Sequence, residues 1–242
     1  MSRSSVNNRR SFLEGAMAGG ALVLSGCSQN PAKGTQKENP AVKKEAGEED
    51  VSPAEDLMRE HGLLKRVLLI YREGIRRIDA KQEIPPDAFA ASAKLIRRFI
   101  EEYHEKLEEE HLFPRFRKAG QLVDLVDTLE AQHRRGRALT ETILGLVTGT
   151  SLKNVQERSK LKNGMQLFVR MYEPHEARED TILFPAFRKI VSSQEYAALG
   201  EDFEKKEHEL FGEEGFEKNV AEVAGIEKTL GIYDLAQFTP KE

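Results

Sequence analysis

Two stretches of this chain repeat the same arrangement of histidine and glutamate. Tyr103–Lys118 reads YHEKLEEEHLFPRFRK and Pro174–Lys189 reads PHEAREDTILFPAFRK. His104 matches His175, Glu108 matches Glu179 and Pro114 matches Pro185, each pair 71 positions apart. The chain therefore carries an internal repeat. Two further histidines, His61 and His133, stand 72 positions apart, so each half-repeat is one histidine followed by a His-x-x-x-Glu. On a helix, residues four apart lie on one face, one turn above each other. His104 with Glu108, and His175 with Glu179, can thus each present a nitrogen and an oxygen to one ion. His61 or His133 completes each set from a neighbouring helix. Imidazole with carboxylate suits iron, and also manganese or zinc. An isolated His–Glu pair of this spacing is ordinarily a surface contact contributing a few tenths of a kcal/mol. Four histidines in phase with four apolar stripes do not fit that reading, because burying so many polar groups without partners is costly.

The elements that position these residues show a helical period. Leu57, His61, Leu64, Leu68 and Ile75 recur every three or four residues from Ala54 onward. Ile84-Pro85-Pro86-Asp87 stops that helix, with Asp87 as the expected N-cap of the next. The second helix aligns Phe89, Ala93, Ile96, Ile100, His104 and Leu107, and Pro114 and Gly120 mark its end or a kink. A third is expected from about Gln121 to Val147 with His133 on its apolar face, broken by Gly149-Thr150-Ser151. A fourth is expected from about Leu152 to Phe184, with Pro174 bending it or opening a hydrogen bond just before His175. No segment alternates with a period of two, and no phosphate-binding Gly-rich loop or nucleophile elbow occurs. The expected fold is all-α, an up-down antiparallel four-helix bundle over residues 54–190 with additional C-terminal helices in 191–242.

Residues 1–27 read as an export signal. Arg9-Arg10 precedes a short apolar run, Ala16 to Leu24, that is too short to span a bilayer. The run closes on Leu24-Ser25-Gly26-Cys27, which resembles a lipobox with Cys27 as the lipidated residue. Paired arginines ahead of it read as a twin-arginine signal, with Asn8 and Glu14 departing from the commonest pattern. Cys27 is the single cysteine. With lipid on it, neither disulfides nor thiolate ligands are available, and any metal must be held by His and carboxylate. Residues 28–53, without aromatic residues or any Leu, Ile or Met, read as a disordered tether. The expected location is the periplasmic side of a membrane, held by the lipid.

In combination, His61, His104-x-x-x-Glu108 with Leu112-Phe113-Pro114, His133, and His175-x-x-x-Glu179 with Leu183-Phe184-Pro185 resemble the hemerythrin-like, HHE cation-binding domain. The resemblance spans roughly Glu55 to Lys189. It implies a bundle holding a non-haem di-iron centre, two Fe ions with Mn or Zn as other occupants, that binds dioxygen or responds to it. Carried across by position, the ligands are His61, His104, Glu108, His133, His175 and Glu179, the two glutamates bridging. The oxygen-carrying members place a second histidine one turn after the third-helix histidine, where this chain has Arg137. They also use an Asp five residues after the last histidine. Asp180 stands there beside Glu179 as the alternative ligand, and the repeat symmetry with Glu108 favours Glu179. The expected function is binding or sensing of dioxygen or a related small molecule. Two alternatives stay open: an enzyme acting on peroxide or nitric oxide, and an iron-storage or iron-donating module. The sequence does not identify a redox partner.

Among the remaining residues, His111 reads as structural or as support for the centre, His208 as a surface residue, and Tyr103 and Tyr172 as core. Phe113, Phe116, Phe184 and Phe187 read as packing at helix ends. The net charge is −4, and losing residues 1–26 removes Arg3, Arg9, Arg10 and Glu14, taking it to −6. There is no basic stripe for nucleic acid.

Overall fold

A computed structural model describes residues 51–240; Arg9, Arg10, Cys27 and most of the expected tether lie outside the described residues. Within 51–240 the fold is all-α, with six long helices and no strand.

Helix α1 (Pro53–Asp79) starts at a capping box. The Glu55 N–H donates to the Ser52 hydroxyl and the Ser52 N–H donates to the Glu55 carboxylate, with Pro53 in the first position where its missing N–H costs nothing. Helix α2 is one rod in five stretches: α-helical at Pro86–Leu95, π-helical at Ile96–His104, α at Glu105–Leu107, π at Glu108–Leu112 and α at Phe113–Ala119. Asp87 is not its N-cap. Pro85 takes that position because Pro86 already has the helical φ, and Asp87 falls in the first turn. Gly120 ends the rod in the left-handed conformation. Helix α3 is Val123–Leu146. Helix α4 is Val155–Arg178, continued by a π turn at Glu179–Leu183 and an α stretch at Phe184–Ile190, with Pro174 accommodated inside it. Helix α5 (Ser193–Phe211) and helix α6 (Gly215–Leu230) follow.

Pro114 neither ends nor breaks α2, and Pro185 does not end α4. In both rods the turn before the proline is widened. The Phe113 N–H reaches the Glu108 carbonyl, and the Phe184 N–H reaches the Glu179 carbonyl, five residues back instead of four. Proline can neither donate to the carbonyl four residues back nor pass it without a clash, and a widened turn just before it relieves both problems. The turn also re-aims side chains. Five residues of regular α-helix would point Phe113 about 140° away from Glu108, whereas a turn closed over five residues brings it back over the same face.

Around the bundle, α1 packs on α2 and α4, and α3 packs on α2 and α4, so the four helices close a ring. Phe89, Ile96, Phe99, Leu161, Met165 and Phe168 are fully buried in it. Each such side chain contributes about 1.5–3 kcal/mol from burial, which offsets the polar groups held further along the axis. Helices α5 and α6 lie against α1 and α2. The Arg66 guanidinium grips Glu227 with Nε at 3.0 Å and Nη2 at 2.5 Å, Arg98 reaches Asn219 and Glu222, and Phe99 packs against Phe211 and Phe216. His111 faces this extension, its ring 5.4 Å from Phe203, which is the structural one of its two expected roles. Among the described residues no helix is long and apolar enough to cross a membrane.

Candidate metal centre

The repeat places its histidines as two pairs inside the bundle. His61 and His104 stand with ring centroids 4.7 Å apart, tilted by 50°, and His133 and His175 stand 5.0 Å apart, tilted by 51°. All four are buried. One ligand atom each from His61, His104 and Glu108 lies within 4.8 Å of the others, as does one each from His133, His175 and Glu179. The carboxylates join the two groups. Glu108 Oε2 is 3.7 Å from His104 Nε2 and 3.4 Å from His133 Nε2, while Glu179 lies 3.1 Å from His175 Nε2 and 3.4 Å from His61 Nε2. Asp180 lies elsewhere. It meets the opposite edge of the His61 ring, Oδ1 to Nδ1 at 2.7 Å, and its side chain is 27% exposed, whereas Glu179 is fully buried.

That outer contact belongs to a closed ring of four. Glu60 on α1 accepts from His104 Nδ1 on α2 at 2.7 Å, and Glu109 on α2 accepts from His133 Nδ1 on α3 at 3.2 Å. Gln132 on α3 accepts from His175 Nδ1 on α4 at 2.8 Å, and Asp180 on α4 accepts from His61 Nδ1 on α1 at 2.7 Å. Each helix thus orients the histidine of the next. Neither an ionised carboxylate nor an amide oxygen has a proton to give, so in the neutral imidazole Nδ1 is the donor and Nε2 keeps its lone pair facing inward, the tautomer a metal-binding imidazole needs. Every acceptor adjoins a proposed ligand in sequence: Glu60 and Gln132 precede His61 and His133, and Glu109 and Asp180 follow Glu108 and Glu179. That adjacency marks them as candidates, and the neighbouring helix decides which of them meets a ring.

The inward groups fit a cation. No oxygen of Glu108 or Glu179 has a hydrogen-bond partner, although both side chains are fully buried. His133 Nε2 and His175 Nε2 face each other at 3.3 Å, and two lone pairs at that distance repel unless a proton or a metal lies between them. Without metal, the charges settle by protonation. Burial, then Glu179 and Glu105, pushes the Glu108 carboxyl well above the usual range. Burial opposes ionisation of Glu179 too, but His175 and His61 overcome it and hold that carboxyl well below its usual range. Burial pulls His61 down, yet Asp180 and Glu179 carry it up to about 9. His104, buried and beside His61, is held well below its ordinary value. A bound cation displaces these protons.

Two phenylalanines complete the enclosure. Phe113 stacks on His133 at 5.4 Å and Phe184 on His61 at 5.5 Å, both with ring planes 23° apart. They touch the histidines as well as packing the helix ends, because the π turns aim them there. Tyr172 also does more than pack. Its hydroxyl donates to Glu105 at 2.6 Å and its ring meets the His175 edge. Gly136 makes this possible, since a Cβ there would lie 2.0 Å from the Tyr172 oxygen. A further trio, Glu105, Glu109 and His133, also converges, but there the Arg137 guanidinium supplies the cation, 2.7 Å from Glu105 and 2.6 Å from Glu109. Tyr103 packs among Phe99 and Phe211.

A helical bundle whose axis carries paired histidines and buried carboxylates belongs to the class of helical metal-binding proteins. The Hemerythrin HHE cation binding domain matches residues 52–187, and this chain is a member of that family. It is 50% identical over 233 residues, 96% of this chain and 91% of the relative, to the uncharacterized protein Rv1995 of Mycobacterium tuberculosis (strain H37Rv). The uncharacterized protein Mb2018 of Mycobacterium bovis matches to the same extent. No solved structure matches.

Proposed function

We propose that this chain is a di-iron protein that binds or senses dioxygen or a related small molecule. His61, His104 and Glu108 would hold one ion and His133, His175 and Glu179 the other. The observation that carries the reading is the pair of fully buried glutamates without hydrogen-bond partners between four inward Nε2 atoms. Mixed imidazole and carboxylate donors suit iron, with manganese or zinc as competitors. Iron held there would supply reversible one-electron changes and bind a diatomic ligand. The protein's own residues do the rest. Glu60, Glu109, Gln132 and Asp180 hold the rings, and Phe113 and Phe184 exclude water from the two stacked histidines. The burial of all four imidazoles favours a ligand of diatomic size over a bulky substrate. It also disfavours an iron-donating module, which needs exchangeable metal.

We place the protein outside the cytoplasm, tethered through lipid on Cys27, on the strength of Arg9-Arg10 and Leu24–Cys27. The test of the main reading is metal content and the visible spectrum of protein purified without air and then exposed to it. Close to two irons per chain, with a near-ultraviolet charge-transfer band that appears with oxygen, is the expected result. One zinc, or equal iron binding by a His104→Ala/His175→Ala variant, refutes it. Peroxide or nitric oxide turnover faster than by free iron would move the protein to the enzymatic reading.

A further inference from the structure

The repeat matches in its inner residues and differs in its outer ones. Glu60 and Gln132 occupy equivalent positions, each just before the first histidine of its half, yet one is a carboxylate and the other a neutral amide. In the first half both histidines lean on carboxylates at 2.7 Å, His104 on Glu60 and His61 on Asp180. In the second half His175 leans on the Gln132 amide at 2.8 Å. Its partner His133 leans on Glu109 at the longer distance of 3.2 Å, and Glu109 is shared with Arg137 at 2.6 Å and Lys106 at 2.5 Å. A carboxylate behind an imidazole raises its basicity and strengthens its bond to a metal. A neutral or cation-shared acceptor does so less, and such outer contacts change metal affinity by about 10–100-fold.

We infer that the two metal positions are unequal, that the His61/His104 position fills first and that Gln132 sets the weaker affinity of the His133/His175 position. The inference deepens the two-ion reading above and rests on it for the presence of both positions, but not for the identity of the metal or of any bound gas. It makes Gln132 a specificity-determining residue that touches no metal. It also makes the His133/His175 ion the one that leaves first.

The test is a titration of metal-free full-length protein with Co(II), followed by visible spectroscopy and calorimetry. The expected wild-type result is two binding steps separated by about 10–100-fold. His175→Ala abolishes the weaker step and His104→Ala the tighter one. Gln132→Glu tightens the weaker step roughly tenfold or more and narrows the separation, while Glu60→Gln weakens the tighter step. Two equal steps in wild type, or a Gln132→Glu variant with unchanged steps, overturns the inference while leaving the two-ion reading intact. A single wild-type step that Gln132→Glu turns into two would sink the two-ion reading for the natural protein and support the inequality. A general loss of folding lowers both steps together, and circular dichroism of each variant identifies it. The Gln132→Glu prediction is a gain, which a merely damaged fold cannot produce.

Discussion

Gly136→Ala tests whether the outer contacts of the centre are as tightly fitted as their distances indicate. In an ordinary helix this change is favourable by about 1 kcal/mol, because Ala is the better helix former. Here the new methyl would lie 2.0 Å from the Tyr172 oxygen, 2.8 Å from Cζ and 3.0 Å from Cε2. The ring must move, and it is wedged between Phe168, 4.3 Å away, and His175, 5.3 Å away. Moving it breaks the 2.6 Å bond to Glu105, a hydrogen bond to a charged acceptor contributing about 1.5–3 kcal/mol. Overpacking adds about 1–3 kcal/mol. Set against the helix gain, the net loss is about 3 kcal/mol, which lowers the melting temperature of a domain this size by about 6–12 °C. Thermal melts followed by helical circular dichroism measure it. Tyr172→Ala removes the obstacle, so in that background Gly136→Ala should turn stabilising, and the double-mutant cycle reads the coupling directly. A Gly136→Ala protein as stable as wild type, or more so, refutes the reasoning.

Burial, reinforced by Glu105 and opposed by Thr140 and Arg97, pushes the Glu101 carboxyl up from 4.5 to about 7. The folded state keeps a proton that the unfolded chain has lost between these values, so stability falls as pH rises through the window, by about 3 kcal/mol at full effect. Glu101→Gln should flatten that decline in denaturant titrations at pH 5 and pH 8, and an unchanged slope would count against it. Glu60→Ala, which removes the acceptor behind His104, should weaken metal binding by about 10–100-fold; an unaltered binding isotherm would show that the contact does not orient the ring. Glu108→Leu should make the metal-free protein more stable, by removing a buried acid crowded by Glu179 and Glu105, while abolishing the stabilisation that metal gives. Melts with and without metal separate the two effects, and a less stable metal-free variant would contradict the crowding.

Spacing alone determined much of this protein. Phase relations among His61, His104, Glu108, His133, His175 and Glu179 are local, because a helix fixes which residues share a face, and a 71-residue repeat of such a face demands a partner of the same kind. The all-α bundle and its two clusters follow from that. Tertiary structure decided the roles that depend on which helix lies next to which. Asp180 and Glu179 are sequence neighbours, yet helix rotation sends one to the outer edge of His61 and the other inward. Gln132, Glu60 and Glu109 act on histidines of adjacent helices, which no periodicity reports. Pro114 reads locally as an end or a kink, but the widened turns before it and before Pro185 carry Phe113 and Phe184 onto the histidines they cover. Helix propensity describes the four-residue ladder and is silent on where a fifth residue enters it. At Pro114 and Pro185 that choice follows the missing N–H, and only the tertiary fold decides which rings the widened turns then meet.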